Sequence, residues 1–223
     1  MLGTPRRHFR RTDSTNQRLR ELAERGAPHG TLVTAEAQTA GRGRHGRIWT
    51  APPNRALLLS LLLRDPPHLL SLAAGVAVAE VCGPETKLKW PNDVLIDGRK
   101  VAGILVEGRP QHHWAILGIG LNVALRPDDF PPELQHTAGT LAQPMEAIEP
   151  ILARLLDRLS AWTVAEDQAV LDAVRQRDAL RGQPVSWTGG RGTAAGIDQQ
   201  GRLIVATDAG HLTLDSGEVH LVA

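Results

Sequence analysis

Two short polar stretches contain the residue types best suited to binding an anion. Residues 41–47 read Gly-Arg-Gly-Arg-His-Gly-Arg and are followed by Ile48 and Trp49, and residues 89–93 read Lys-Trp-Pro-Asn-Asp. Glycines let a backbone approach a ligand closely, and the guanidinium forks of arginine match phosphate and carboxylate oxygens. Residues 41–47, which we call the glycine-rich loop, are therefore interpreted as a segment that wraps an anion. A solvated surface turn and a nucleic-acid-binding segment would have the same composition.

The distribution of lysine favours the first interpretation. The chain has 25 basic residues, and only three of them are lysines, all between residues 87 and 100, namely Lys87, Lys89 and Lys100. Chance clustering of a rare residue is the alternative. Because an ammonium is a compact charge on a flexible stem, a lysine here is suited to charge that moves or develops during a reaction.

Length, charge and cysteine content exclude several classes of protein. A chain of 223 residues can bury a large core, and its net charge of +1 argues against general polyanion binding, which needs many cations in excess. The single cysteine, Cys82, excludes an intrachain disulfide and fits a reducing compartment. The leucine-rich run 56–63 is too short to cross a bilayer, and no signal peptide is recognisable. We therefore expect a soluble cytoplasmic protein that makes no membrane contacts.

A sheet covered by helices is predicted to position the two polar stretches. Apolar runs and alternating segments predict strands at 31–36, 56–63, 87–90, 94–96, 100–107 and 114–123. The Asp97-Gly98 pair predicts a hairpin. Helical spacing is present at 68–81, 146–162 and 166–180. Gly118 and Gly120 interrupt the last strand, where their missing side chains are expected to let a flat ligand or a crossing chain lie close.

A further short helix is predicted to end at Gly26. Four residues at the start of this helix are of types that favour the N-cap, namely Asp13, Ser14, Thr15 and Asn16. We expect at least one of them to cap the helix and the others to remain available to a polar ligand.

The sequence changes character after residue 180. Short strands separated by turn residues are predicted at 184–187, 192–197, 202–207, 211–214 and 219–222. This rhythm is typical of a small antiparallel barrel of about 45 residues. We therefore expect two domains, residues 1–180 and residues 181–223.

Metal-binding and serine-hydrolase patterns are absent from the sequence. No set of cysteine, histidine and carboxylate residues has metal-ligand spacing, and no Ser-His-Asp arrangement is recognisable. The adjacent His112 and His113 would point to opposite faces of a strand. No metal ligands are predicted.

Five motifs in order resemble the signature of biotin protein ligases. They are residues 13–16, Gln38 with residues 41–47 and Trp49, residues 89–93, residues 98–107, and residues 118–122. The similarity covers most of residues 13–123, and the later helices and small barrel follow the family's C-terminal part in order and size. The resemblance implies an α/β (α+β) mixed-sheet catalytic domain of the class II synthetase and biotin/lipoate ligase type, with a small C-terminal SH3-like β-barrel.

The resemblance also implies an activity and partners. Biotin protein ligases are nucleotide-binding enzymes that join biotin to ATP as biotinoyl-5'-AMP, with Mg²⁺ accompanying the ATP. They then form an amide with one lysine of the biotin carboxyl carrier protein domain of a biotin-dependent carboxylase. Some members add an N-terminal winged helix that binds DNA. Because only 12 residues precede Asp13, we expect that module to be absent and no DNA binding, while a homodimer is compatible with the family.

The implied roles of individual residues follow from matching positions. Lys89 and Arg44 would be catalytic and meet the biotin carboxylate and the α-phosphate. Trp49 would cover the adenine, and Asn122 would bond its edge. The full biotin set would be Ser14, Thr15, Asn16, Gln38, Gly41, Arg42, Gly43, Arg44, Lys89, Gly103 and Gly118. The ATP and adenylate set would be Arg44, Arg47, Trp49, Lys89, Asn92, Lys100 and Asn122.

Two alternatives from the sequence stay open at this point. A lipoate-type ligase would share the fold and accept a different ring. A nucleic-acid-binding module with a small barrel would be no enzyme, although the net charge of +1 and the absence of tyrosine both argue against it.

Overall fold

A seven-stranded mixed sheet forms the larger part of the molecule. The computed structural model describes residues 1–109 and 113–222, so His112 of the predicted histidine pair lies outside the described residues. The strands lie in the order β1-β2-β3-β7-β6-β5-β4. They are β1 (Arg6–Phe9), β2 (Leu32–Ala35), β3 (Ala56–Arg64), β4 (Lys87–Lys89), β5 (Asp93–Ile96), β6 (Arg99–Arg109) and β7 (Trp114–Asn122). Only the β1–β2 pair is parallel among these described strands.

Four helices cover the two faces of this sheet unequally. Helix α1 (Thr15–Glu24) packs on one face against β2, β3 and β7. On the other face α2 (Leu70–Cys82) contacts β4, β5 and β6, and α3 (Ile148–Trp162) and α4 (Asp167–Arg177) pack on α2. One face is thus largely covered by helices, while α1 covers only part of the opposite face.

Side chains alternate between these two faces along the central strands. On β7, Leu117, Ile119 and Leu121 enter the main core beneath α2. Trp114 and Ile116 point the other way and pack with Leu19 of α1 in a smaller core. The continuous apolar run in β3 is explained in the same manner, because both of its faces are buried.

Most of the predicted elements are present, with bounds that shift by a few residues. The hairpin at Asp97-Gly98 is confirmed, since β5 and β6 pair directly across it and Gly98 has a φ of 74°. Strand β1 was not predicted. Ser14 occupies the N-cap of α1 without a side-chain cap hydrogen bond, while Asp13 Oδ1 accepts a hydrogen bond of 2.7 Å from the Ser14 backbone N–H.

The C-terminal residues form a second, smaller sheet. Its antiparallel strands lie in the order β11-β10-β9-β8-β12. They are β8 (Pro184–Trp187), β9 (Gly190–Ile197), β10 (Leu203–Thr207), β11 (Gly210–Leu214) and β12 (Val219–Leu221). None of the helices in the described parts of the chain has the length and apolarity needed to cross a bilayer.

One buried tryptophan connects the two sheets. Trp90, which follows β4, is 4% exposed, and its Nε1 donates a hydrogen bond of 2.9 Å to the carbonyl oxygen of Gly201 in the turn before β10. Gly201 has a φ of 77° and packs on Leu69 and Leu72, so this turn is fixed against α2 and the end of β4 together.

Replacing Trp90 by phenylalanine should loosen the smaller sheet from the larger one. Trp90→Phe removes the indole donor and leaves the Gly201 carbonyl without it, so we expect the free energy of unfolding to fall by about 1 kcal/mol. Amide exchange in residues 184–221 should accelerate. Trp162→Phe is the control, because it removes an indole bond to Glu80 instead. Equal rates of amide exchange in residues 184–221 of the two variants would contradict this interpretation.

Candidate functional site

The floor of the candidate site is formed by glycines on the face of the sheet that α1 leaves open. Beyond Trp114 and Ile116, the next positions of β7 on this face are Gly118 and Gly120. Gly120 pairs with Gly103 of β6. A Cβ at Gly118 would overlap Asn16, and a Cβ at Gly120 or Gly103 would press on the ring of Trp49. The expectation that a crossing chain lies close to Gly118 and Gly120 is confirmed.

A cluster of buried polar side chains lies at the α1 side of this floor. We call Ser14, Thr15, Asn16, Gln38 and Ser60 the polar cluster; the first three are 2 to 4% exposed and Ser60 is fully buried. Ser60 Oγ hydrogen-bonds to Thr15 Oγ1 at 2.8 Å and contacts Asn16 Oδ1 closely. Thr15, Asn16 and Ser60 are thus buried and paired with one another, as buried polar groups generally are.

Gln38 connects the polar cluster to the glycine-rich loop. Its Oε1 accepts hydrogen bonds from the backbone N–H of Thr15 at 2.7 Å and from Thr15 Oγ1 at 3.1 Å. The free N–H at the start of α1 is therefore satisfied by Gln38 rather than by the Ser14 side chain. Its Nε2 lies so near Gly41 that a Cβ there would meet it.

The glycine-rich loop turns back on itself and places Trp49 over the glycine floor. The loop is closed by hydrogen bonds from Gly43 N to Arg47 O at 2.8 Å and from Trp49 N to Gly41 O at 3.1 Å. The indole of Trp49 lies on Gly103 and Gly120, and Lys100 Nζ is 5.7 Å from its ring centroid. Trp49 Nε1 is buried and has no hydrogen-bond partner among the described residues.

Cations gather at the opposite end of the floor, beside β4 and β5. We call Arg44, Arg47, Lys89 and Lys100 the cationic cluster. Lys89 pairs across the strands with Asp93, and Asp93 pairs with Gly103, so these positions form one row with Gly120. Lys100 Nζ is 2.6 Å from Asp93 Oδ1. Arg44 Nη1 is 3.4 Å from the Asn92 amide oxygen.

Burial weakens the charged forms of two of these cations. Desolvation lowers the pKa of the Lys89 ammonium below 10.5, and the Asp93 carboxylate opposes that shift. Desolvation likewise lowers the pKa of Arg44, again opposed by Asp93. Within residues 1–109 and 113–222, Lys89 makes no hydrogen bond or ion pair at its ammonium. The cluster is therefore suited to receive negative charge from a ligand.

The smaller sheet reaches the cationic cluster through a carboxylate. Glu218, just before β12, forms an ion pair with Arg47 of the glycine-rich loop. The Glu218 charge also acts on Lys89 and Arg44, in both cases raising the pKa against the effect of burial. The C-terminal sheet thus contributes a charged group next to residues of the larger sheet and its loop.

The predicted site residues fall into these groups with some differences in detail. Arg42 points away from the cations toward α1, where its Nη2 donates to Gln17 Oε1 at 3.2 Å. Asn92 Nδ2 donates to the Ile104 carbonyl at 2.9 Å, and Asn122 Nδ2 donates to the Gly139 carbonyl at 2.8 Å. The predicted contact of Asn122 with a ring edge therefore rests on its remaining amide atoms.

Four residues of the site were not predicted as such. Ser60 is a single serine in a run of leucines, which was a usable signal for a polar pocket. Asp93 and Glu107 belong to predicted motifs but were not among the predicted site residues. Glu218 lies far along the chain, and no sequence signal connects it with Arg47. Over the described residues, no three His, Cys, Asp or Glu side chains are grouped so as to hold a metal ion.

Comparison with known families agrees with this arrangement of sheet, loop and appended strands. Residues 8–123 match the biotin/lipoate A/B protein ligase family, and residues 181–222 match the biotin protein ligase C terminal domain. The chain therefore belongs to the biotin/lipoate A/B protein ligase family, and its C-terminal match groups it with the biotin protein ligases. The predicted mixed-sheet fold with an SH3-like C-terminal part is confirmed.

Individual relatives and a solved structure give the same result. The bifunctional ligase/repressor BirA of Bacillus subtilis is 44% identical over 142 residues, which cover 58% of this chain and 44% of the relative. The chain thus matches less than half the length of that relative. The biotin--[acetyl-CoA-carboxylase] ligase of Mycobacterium tuberculosis is 39% identical over 231 residues, covering 93% of this chain and 85% of the relative. The biotin protein ligase from Aquifex aeolicus in complex with biotin and ATP superposes with a TM-score of 0.85 at 27% identity, covering 98% and 100% of the two chains.

The buried lysine should reduce stability, and this can be tested by removing its charge. Because the folded-state pKa of Lys89 is lowered, the charged form costs free energy at every pH below that pKa, and the cost disappears as pH rises toward 10.5. We expect Lys89→Met to raise the free energy of unfolding near pH 7, with a smaller gain near pH 10, as measured by urea titration. Lys87→Met, at the exposed first position of β4, is the control and should change stability by less than about 0.5 kcal/mol.

Proposed function

We propose that the chain is a biotin protein ligase. In the first reaction a carboxylate oxygen of biotin attacks the α-phosphorus of ATP, and the bond to the bridging oxygen breaks, giving biotinoyl-5'-AMP and pyrophosphate. In the second, the neutral amine of an acceptor lysine attacks the biotinoyl carbonyl carbon, the carbon–oxygen bond to the phosphate breaks, and AMP and one proton leave. The acceptor is the biotin carboxyl carrier protein domain of a biotin-dependent carboxylase, and ATP enters as its Mg²⁺ complex.

One observation carries this proposal: the polar cluster and the cationic cluster lie at opposite ends of a single glycine floor. Biotin has a ureido ring at one end and a carboxylate at the other. Paired hydroxyl and amide groups such as Thr15, Gln38 and Ser60 suit the ureido donors and acceptor. Arg44 and Lys89 suit the carboxylate and the phosphate. Asn16 lies on the backbone of Gly118, so its amide lines the end of the floor that would receive the ring.

The cationic cluster supports the first reaction by position and charge. Biotin's carboxylate is already an anion at neutral pH, so no general base is needed. The difficulty is to bring it against a negatively charged phosphate, and Arg44 and Lys89 offset that repulsion in a partly desolvated site. Trp49 lies beside Lys100 and offers a flat surface for the adenine.

The second reaction requires an acceptor lysine in its neutral form, whose unperturbed pKa is about 10.4. Asp93 is the carboxylate of β5 that faces the cationic cluster. The mixed anhydride must be protected from water, which the glycine-rich loop and Trp49 do by covering the floor.

We further propose that residues 1–180 and 181–223 form two domains and that the enzyme works in the cytoplasm, as its single cysteine favours.

The polar cluster also separates the two ligase hypotheses. The dithiolane ring of lipoate has no hydrogen-bond donor, so it would interrupt the paired groups around Ser60 without replacing their bonds. Biotin is therefore favoured as the substrate. The nucleic-acid hypothesis predicts salt-sensitive polynucleotide affinity and no ATP turnover.

Direct transfer tests the proposed function. The protein is mixed with biotin, Mg-ATP and a biotin-acceptor domain, and the acceptor is examined by mass spectrometry. We expect the mass of one biotinoyl group on a single lysine, and none when lipoate replaces biotin. Modification by lipoate but not biotin would support the alternative ligase, and no modification by either, despite a folded protein, would exclude both.

Lys89 should be indispensable for adenylate formation. We expect Lys89→Ala to reduce biotin-dependent pyrophosphate exchange by at least about a hundredfold without unfolding the protein, because a charge that stabilises the transition state is lost. Lys89→Arg should not restore it, since the planar fork does not fit the half-buried position of a compact ammonium. Near-normal exchange in either variant would contradict the role given to Lys89.

A further inference from the structure

Glu107 of β6 is the carboxylate that borders the polar cluster. Its Oε2 accepts a hydrogen bond of 2.7 Å from Asn16 Nδ2, and its Oε1 accepts one of 2.8 Å from Arg20 Nη2. Arg42 Nη1 of the glycine-rich loop lies 3.7 Å from the same Oε1. Two arginines and one amide therefore share a single carboxylate whose side chain is only 22% exposed.

The first consequence concerns Asn16, which is fixed in one amide orientation. Its Nδ2 faces Glu107, and its Oδ1 contacts the Ser60 hydroxyl. A flipped amide would turn its oxygen toward the acceptor-only carboxylate and lose the hydrogen bond to Glu107. Because Asn16 lies directly on Gly118, the orientation of its amide decides which polar atoms line the end of the floor.

The second consequence concerns the glycine-rich loop. Arg42 is 43% exposed and its ion pair with Glu107 is long, so the pair is weak. Such a guanidinium is held near the polar cluster but is free to move to an anionic ligand that approaches more closely. Glu107 thus joins the polar cluster to the loop that covers it.

We propose that Glu107 is a positioning residue for biotin: it orients the amide of Asn16 and tethers Arg42 until an anionic ligand replaces that contact. This inference rests on the proposed function and extends it to a residue outside the implied site set. The simpler alternative is that Glu107 only stabilises β6 through its ion pair with Arg20.

Glu107→Gln separates these alternatives, because glutamine keeps the shape but supplies one neutral acceptor for three donors. In pyrophosphate exchange we expect the KM for biotin to rise about tenfold, since bonds to a charged acceptor are exchanged for weaker ones. The KM for ATP and kcat should stay within about twofold. In the ligand-free protein, amide exchange at residues 41–47 should accelerate several-fold.

Two further variants make the test specific. Glu149 lies on α3 and forms an ion pair of 2.7 Å with Arg6. Glu149→Gln removes that carboxylate and should change neither the KM for biotin nor amide exchange in the glycine-rich loop. Arg20→Gln leaves Glu107 Oε1 to Arg42 alone, so exchange at residues 41–47 should become slower. This opposite sign keeps the tether testable even where Glu107→Gln does not fold.

Two results in Glu107→Gln would overturn the inference. One is a lower kcat with both KM values unchanged, which would show only a loss of active protein. The other is a biotin KM and a rate of amide exchange in the loop that both equal those of the unmodified protein. Failure of the proposed function gives a different result, namely no biotin-dependent exchange of pyrophosphate in the unmodified protein. In that case the amide-exchange measurements still decide whether Glu107 tethers the loop.

Discussion

The site depends on a change in side-chain size along one face of the central sheet. Trp114 and Ile116 fill this face beneath α1, and the next two positions on the same face of β7 are glycines. Asn16 and Trp49 can lie against the backbone only because Gly118 and Gly120 carry no Cβ. The same strand therefore builds a packed core at one end and, at the other, a bare backbone on which Asn16 and Trp49 lie.

The cations beside β4 are more numerous than the carboxylates that face them. Asp93 and Glu218 share the charges of Arg44, Arg47, Lys89 and Lys100. Partial burial of this excess charge opposes folding, which is why the pKa values of Lys89 and Arg44 are lowered. An anionic ligand that enters the cluster supplies the missing negative charge. The arrangement thus reduces the stability of the empty protein and favours the bound one.

Elements with strong local signals could be predicted from the sequence, and elements defined by tertiary contacts could not. The Asp97-Gly98 hairpin and the buried strand β3 follow from turn chemistry and apolar runs. Strand β1 is short, largely exposed and rich in arginine, and it forms by pairing in parallel with a distant β2. Similarly, a role for Glu107 becomes visible only when the register of β6 and β7 puts it on the same face as Gly118.

The two links between the sheets explain why the smaller one bears on the chemistry of the larger. Trp90 follows Lys89 directly and donates a hydrogen bond to the Gly201 carbonyl. The smaller sheet therefore fixes the end of the strand that carries Lys89. Glu218 forms an ion pair with Arg47, so the smaller sheet also holds the glycine-rich loop. One link is a hydrogen bond from a buried indole, and the other is a more exposed ion pair that a competing anion can replace. Under the proposed function, this pair of links would let the smaller sheet keep Lys89 aligned while an anionic substrate displaces the ion pair that holds the glycine-rich loop.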